Sequence, residues 1–211
     1  MKNNIIILIL FLLLIGGCAA KTIDNPEEPI DGIAEEPGHE EEPKENTEEV
    51  IDPNMVVSPL DGLRYYPEEL SKRPVAVSID NHPSARWQAG IGQAEIVYEV
   101  EVEHPFTRYL CIFLSKEPEQ VGPVRSARPY IIYYALENDG IFVHVGGSQD
   151  AFAEIKRLGV ADVDGLYSGA MWRYYDTGKY APHNMYTTLN SIREEAKSYG
   201  YRTEASFDGY E

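Results

Sequence analysis

The periodicity of apolar and polar positions changes several times between residues 55 and 211. Four short apolar runs predict β-strands, at residues 74–79, 95–102, 107–114 and 141–145. Three segments are predicted to be helices, at residues 129–138, 149–158 and 188–199. Pro129 suits the first turn of a helix, and Gly159 and Gly200 are expected to end helices. Strands and helices interleave, so the sequence predicts an α/β fold of the mixed α+β kind, with helices packed against a mixed β-sheet.

The start of the chain has a different pattern. Lys2 is followed by eleven uninterrupted apolar residues, Ile5 to Ile15, which is too short for a membrane span of about 20 residues. A basic start, a short apolar core and a zone of small residues are typical of a secretory signal. The zone Ile15-Gly16-Gly17-Cys18 resembles the lipobox of bacterial lipoproteins. That resemblance implies a signal peptide at 1–17 and diacylglycerol on the Cys18 sulfur; the alternative is an ordinary secretory signal in which the cysteine is incidental.

Two acyl chains on one residue anchor a protein stably in a bilayer. The sequence therefore predicts a protein that is lipid-anchored through Cys18 on the extracytoplasmic face of the cell membrane. With that cysteine acylated, only Cys111 remains, so no disulfide within the chain is expected. Cys111 lies in a predicted strand, where a buried and unreactive thiol is the ordinary outcome.

Residues 18–54 form a second compositional region. Between residues 21 and 54 there are 13 acidic residues against Lys21 and Lys44, with scattered prolines and no aromatic residue. Such a segment buries too little apolar surface to offset its ordering entropy, so we expect a disordered acidic linker. Residues 55–211 carry a net charge of only −7 and no basic stripe, which argues against nucleic-acid binding. They are long enough for one domain with its own core.

Polar residues follow the first predicted strand. Asp80, Asn81 and His82 come directly after residues 74–79, and ligands of open α/β sheets sit beyond the carboxyl ends of strands. The alternative is a simple turn, because Asp and Asn bond readily to their own backbone. Both interpretations remain open from the sequence.

Three carboxylates alternate along the next strand. Glu99, Glu101 and Glu103 share one face of the predicted strand, which is most simply a solvated or edge-protecting face. If Glu99 instead points into a cleft, it becomes a candidate general acid with Asp80 as its catalytic partner.

Two arginines stand three residues apart just before a predicted helix. Arg125 and Arg128 could form a fork for a carboxylate or phosphate, assisted by the free N–H groups of the helix start. Alternatively, both arginines pair with the acidic residues of the domain, which are in excess.

Histidines and glycines make the last group of candidates. His144 precedes Gly146 and Gly147, a turn where backbone can approach a ligand closely, and His183 precedes Asn184. The histidines could be an acid/base pair, although each alone is more often structural. No HExxH or Cys–His spacing is present, so we predict no metal site and no cofactor.

These segments together resemble a known family. The shared motifs are Val75–Asn81, Ala94–Glu99, Gly122–Arg128, His144–Gly147 and Ala181–Asn184. They occur in this order and at similar spacing in the YerB-like lipoproteins, a family of Gram-positive bacteria with no established activity. The resemblance implies an α/β domain of its own type and a lipid anchor. The family usually carries a second, C-terminal domain, which is absent from this sequence because the chain stops at Glu211, where a connection to that domain would begin. We expect either a fragment or a natural short form.

The leading functional hypothesis is an extracytoplasmic lipoprotein that binds a cell-envelope ligand, a glycan or an anionic group. Trp172 and Tyr174 could stack on a sugar ring, although core packing would explain both. A first alternative is a peptidoglycan-cleaving enzyme with Glu99 as acid/base. A second is a lipoprotein that docks other envelope proteins, whose identity the sequence does not reveal.

Overall fold

The structure, a computed structural model, describes residues 52–206. Its strands are β1 (Val56–Val57), β2 (Arg64–Tyr65), β3 (Val75–Asp80), β4 (Ile96–Glu101), β5 (Thr107–Phe113), β6 (Ile141–His144), β7 (Asp162–Asp164), β8 (Met171–Arg173) and β9 (Met185–Thr187). Its α-helices are α1 (Pro129–Glu137), α2 (Gln149–Leu158) and α3 (Leu189–Ser198). Two short 3-10 helices span Pro83–Ala85 and Ile91–Gln93. The predicted signal peptide, Cys18 and nearly all of the acidic linker lie outside the described residues.

A five-stranded mixed sheet forms the centre of the domain. Its strand order is β4-β5-β3-β6-β7. The pairs β4–β5 and β5–β3 are antiparallel, whereas β3–β6 and β6–β7 are parallel. Every residue of β3 is buried, which explains its nearly continuous apolar sequence, because a central strand is covered on both faces. The prediction of a mixed sheet with packed helices is confirmed.

Helices and a small strand pair cover the two faces of the sheet. On one face α1 and α2 bury an apolar cluster that includes Leu110, Ile131 and Phe142. On the other face α3 and the antiparallel pair β8–β9 bury a cluster that includes Val77 and Phe113. Alternate side chains of β3 and β5 enter opposite clusters, as the pleat of a strand requires.

Cys111 belongs to the buried core. Its side chain is fully buried in β5, and burial raises the pKa of its thiol to about 12. Because the thiolate is the reactive form of cysteine, the thiol remains protonated and inert at neutral pH. This agrees with the expectation from the sequence.

Local capping signals fix the ends of the helices. The hydroxyl of Ser148 accepts a hydrogen bond from the Ala151 N–H and caps α2, which ends at Gly159 in the left-handed conformation (φ 63°). Thr188 caps α3 in the same way, and Gly200 follows that helix with φ 80°. Glycine adopts such angles without a steric penalty. The predicted bounds of α2 are confirmed.

Five strands were not predicted from the sequence. The strands β7, β8 and β9 have three residues each, and β1 and β2 have two. Such lengths hold no readable periodicity, because a pattern needs several alternations before it can be distinguished from chance. Their existence depends on the partner strands that tertiary folding brings alongside.

The parallel strands point their carboxyl ends to one edge of the sheet. Asp80, His144 and Asp164 are the last residues of β3, β6 and β7. Ligands of open α/β sheets bind at this kind of edge, so a binding site is expected there. None of the helices between residues 52 and 206 has the length and apolar composition needed to cross a membrane.

Candidate functional site

The segment with the two predicted arginines lies between the ends of β3 and β6. The Arg125 N–H donates to the carbonyl of Ser78 at 2.8 Å, and the Arg125 carbonyl accepts from the Val145 N–H at 3.0 Å. The Asp80 N–H donates to the carbonyl of Pro123 at 2.8 Å. The segment therefore extends the sheet locally and holds the Arg125 backbone at the carboxyl edge.

A cavity of about 370 Å³ opens beside this segment. Its lining contains two guanidinium groups and no carboxylate, although the chain as a whole is strongly acidic. The lining residues are Val124, Arg125, Ser126, Val145, Gly146, Gly147, Phe152, Leu166, Tyr167, Arg173 and Pro182. Of the residues predicted to contact a ligand, Arg125, Gly146 and Gly147 line this cavity.

Asp80 connects three of the predicted motifs. Its carboxylate is buried, and Oδ2 accepts a hydrogen bond from Nδ1 of His183 at 2.7 Å. Oδ1 accepts the N–H of His82 at 3.0 Å, and the His82 ring stacks on that of His183. The Nε atom of Arg125 lies 3.1 Å from Oδ2, without hydrogen-bond geometry. Asp80 is therefore a buried contact shared by Arg125 and His183.

Arg173 is a cavity residue that the sequence did not reveal. Its Nη1 donates to Oδ1 of Asn184 at 3.1 Å, and Nδ2 of Asn184 donates to the carbonyl of Lys179 at 3.2 Å. Asn184 is fully buried, so it fixes the guanidinium of Arg173 and does not itself face the cavity. In the sequence Arg173 is a single basic residue with no motif around it. The pairing of β8 with β9 places Arg173 beside Asn184.

Glu99 belongs to a neighbouring polar network. Its Oε1 accepts hydrogen bonds from the Thr107 hydroxyl at 2.6 Å and from Nδ2 of Asn81 at 3.1 Å. Asn81 also bonds Thr107 and follows Asp80 directly. Asn81 is the chain neighbour of Asp80, but its side chain contacts Glu99, whereas the carboxylate of Asp80 contacts His183 and the backbone of His82. Glu99 is exposed on the edge strand β4, as the solvated-face interpretation expects.

Arg128 lies apart from the cavity lining. Its guanidinium donates two hydrogen bonds to Glu103, which also contacts Arg108. Burial and the neighbouring Arg128 charge lower the pKa of Arg108 to about 10. Arg125 and Arg128 therefore contact different carboxylates, and the fork that their spacing suggested is not formed, because the helix start turns Arg128 toward Glu103.

His144 is also separate from the cavity. Its ring is fully buried, with Nδ1 2.9 Å from the Gly146 carbonyl and Nε2 3.1 Å from Oδ2 of Asp162. The Gly146 N–H donates to Oδ1 of Asp164 at 2.7 Å. These bonds hold the Gly146–Gly147 turn in place, so His144 supports the turn and has no exposed surface for a ligand.

Two predicted stacking residues take different positions. Trp172 is half-exposed on β8, and Tyr174 packs its ring against the edge of the Tyr186 ring. No group of three or more metal-ligating side chains is arranged to hold an ion among residues 52–206.

Comparison with known proteins places this domain in a family. A family model described as "Protein of unknown function (DUF3048) N-terminal domain" matches residues 60–202. The Bacillus subtilis (strain 168) protein named "Putative lipoprotein YerB" is 43% identical over 147 residues, which are 69% of this chain and 44% of that protein. The crystal structure of the YerB protein from Bacillus subtilis superposes with a TM-score of 0.67 at 40% identity, covering 71% of this chain and 51% of that one.

The chain thus spans about half the length of the relatives that it matches. The matched residues include all five motifs on which the resemblance was based, and the resemblance is confirmed. The chain belongs to the YerB-like family that is defined by the DUF3048 N-terminal domain.

Proposed function

We propose that this protein is a lipid-anchored lipoprotein of the extracytoplasmic membrane face, and that its domain binds an anionic cell-envelope ligand in the cavity beside Arg125. The lipobox-like sequence at Cys18 and the name of the Bacillus subtilis relative, "Putative lipoprotein YerB", support the anchor. The cavity supports the binding role. Its two guanidinium groups with no lining carboxylate are the observation that carries the proposal.

The arginines are positioned before any ligand arrives. The Nε atom of Arg125 lies 3.1 Å from Oδ2 of the buried Asp80. Asn184 fixes one amino group of Arg173 from its buried position. Guanidinium groups that are held in this way form bidentate bonds to carboxylate or phosphate at a small entropic cost. The ligand that suits these two guanidinium groups is a cell-wall glycan that bears carboxylate or phosphate groups.

The experiment is co-sedimentation of the purified full-length chain, in detergent micelles, with purified cell wall. We expect binding that weakens as salt is added, since the attraction is electrostatic. Arg125→Ala and Arg173→Ala should each weaken it at least about tenfold, because a hydrogen bond to a charged group contributes about 1.5–3 kcal/mol.

Arg64→Ala is the matched control, since Arg64 is exposed on β2 and donates to the Met55 carbonyl. Equal binding by the two cavity variants and the control would contradict the proposal.

The Asp80–His183 pair favours a second candidate, an enzyme that cleaves peptidoglycan. A carboxylate bound to Nδ1 of a histidine leaves Nε2 available for proton transfer. Glu99 accepts a hydrogen bond from Asn81, the residue after Asp80, and is the alternative acid/base. Release of soluble fragments from cell wall, lost in His183→Ala or Glu99→Gln but retained in Glu101→Gln, would support the enzyme. Sedimentation without release would support the binder.

A further inference from the structure

Three large aromatic side chains stand exposed in two loops near the cavity. Trp87 is 88% exposed, Tyr180 74% and Tyr175 57%. We call these three residues the aromatic shelf. Aromatic side chains usually supply most of the buried contact of a core or an interface. A cluster of them left in solvent therefore indicates a binding surface.

The shelf is fixed to the domain by Lys179. The Nζ atom of Lys179 donates to the carbonyl of Trp87 at 2.7 Å and to the hydroxyl of the buried Tyr186 at 3.0 Å. The rings of Tyr175 and Tyr180 meet edge to face, 6.5 Å apart. Two loops that are distant in sequence are thus tied to one another and to the core, so their backbones are held in place.

One of the two loops continues into the cavity lining, and the other contacts Asp80, which lies against a lining residue. Gln88, next to Trp87, donates to the Asp80 carbonyl at 3.0 Å, and Asp80 contacts Arg125 of the cavity lining. Pro182, two residues after Tyr180, is itself part of the lining. The cavity also presents Tyr167, whose side chain is 84% exposed. Aromatic surface therefore borders the cationic cavity along these two loops.

We propose that the ligand is an acidic oligosaccharide, with its anionic group between Arg125 and Arg173 and its sugar rings stacked on the aromatic shelf. This inference rests on the proposed function and names the ligand class. The C–H face of a sugar carries partial positive charge and packs on the negative face of an aromatic ring. A small anion would need the cavity alone, whereas a chain of sugars uses both the cavity and the shelf.

The test uses the intrinsic fluorescence of tryptophan. Trp87 and Trp172 are the only tryptophans of the chain, so Trp172→Phe leaves Trp87 as the sole reporter. The purified full-length chain in detergent micelles is titrated with disaccharide-peptide fragments of peptidoglycan, which carry carboxylates. We expect these fragments to shift the Trp87 emission to shorter wavelength, because stacking removes the indole from water. Inorganic phosphate should bind without that shift.

Substitutions then separate the two parts of the site. Trp87→Ala should weaken fragment binding about threefold to tenfold, the effect of one aromatic contact, and leave phosphate binding unchanged. Trp87→Phe should restore most of the lost affinity. Tyr199→Ala is the control, since Tyr199 is exposed outside the shelf and its loss should change neither affinity.

The outcomes distinguish this inference from the proposed function. If Arg125→Ala abolishes binding of phosphate and fragments while Trp87→Ala changes nothing, the shelf inference is overturned and the anion site stands. If neither phosphate nor the fragments bind the unaltered chain, both the shelf inference and the proposed function are contradicted. Saturation with fragments and no change in Trp87 emission overturns the inference even if Trp87→Ala fails to fold.

Discussion

At the scale of single residues, carboxylates set the positions of the functional cations. Asp80 contacts Arg125 and His183, and Glu103 holds Arg128. Position after a strand was enough to identify Asp80 and Asn81 as candidates, and residue type within a local motif was enough to identify Arg125 and His183. The partner of each side chain was not predictable, because three of these contacts join residues more than twenty positions apart.

Asp139 gives a prediction about stability and pH. Burial opposes ionisation of Asp139, but hydrogen bonds from Arg202 and the charges of Arg73 and Arg202 outweigh it, so the pKa of this carboxyl is lowered from 3.8. Arg202 Nη2 lies 2.5 and 2.6 Å from its two oxygens. A carboxyl whose pKa is lower in the folded state than in the unfolded state stabilises the fold at any pH above its unfolded-state pKa. That stabilisation is lost as the pH falls through the folded-state pKa.

We therefore expect Asp139→Asn to lower the free energy of unfolding by about 1–3 kcal/mol at pH 7. Asparagine tolerates the positive φ of 50° at this position, so the substitution removes mainly the charge. Below about pH 3.8 the difference from the unaltered chain should shrink. Urea unfolding at pH 7 and pH 3 measures the loss of stability and its change with pH. Asp176→Asn, in an exposed loop, is the control. A deficit that is the same at both pH values would contradict the assignment to charge.

At the scale of elements, local sequence was reliable where an element carries its own end signals. Helix α2 begins after the capping Ser148 and ends at Gly159, as predicted. Strands β3 to β6 were long or apolar enough to be recognised. Strands β7, β8 and β9 were missed, because three-residue strands are defined by their hydrogen-bonded partners and not by a pattern of their own.

Gly159 allows a test of the helix end. A Cβ at this position would meet no atom within 4 Å, so the only cost of Gly159→Ala is its φ of +63°. We expect a loss of about 1–2 kcal/mol in the free energy of unfolding. Gly169→Ala is the matched control, because it also meets no atom within 4 Å and its φ lies outside the strained range. Equal effects in the two variants, measured by urea unfolding, would show that the left-handed angle is not the cause.

At the scale of the whole molecule, the mixed sheet brings the motifs to one edge. The parallel strands β3, β6 and β7 end together, and residues 122–127 cross between two of them. The cavity, the Asp80 contacts and the aromatic shelf all lie in the loops that follow from this arrangement.

The anchor is tested on the entire protein. In a Gram-positive host grown with radiolabelled palmitate, we expect label on the protein and recovery in the membrane fraction. Cys18→Ser should abolish the label and release the protein from membranes, because two acyl chains are needed for stable attachment. Cys111→Ser is the control for general loss of a thiol, and it should retain the label. Labelling that persists in Cys18→Ser would place the acyl group elsewhere.

The sequence by itself determined the class of fold, the helix ends, the family and the candidate site residues. The reason is that apolar periodicity, capping residues and motif spacing are local properties of the chain. Only the tertiary structure decided which candidates meet. It brought Arg173 to Arg125, turned Arg128 toward Glu103 and buried His144 within the domain. The physical reason is that a cavity is formed by side chains from separate loops, and their mutual positions follow from the packing of the whole sheet.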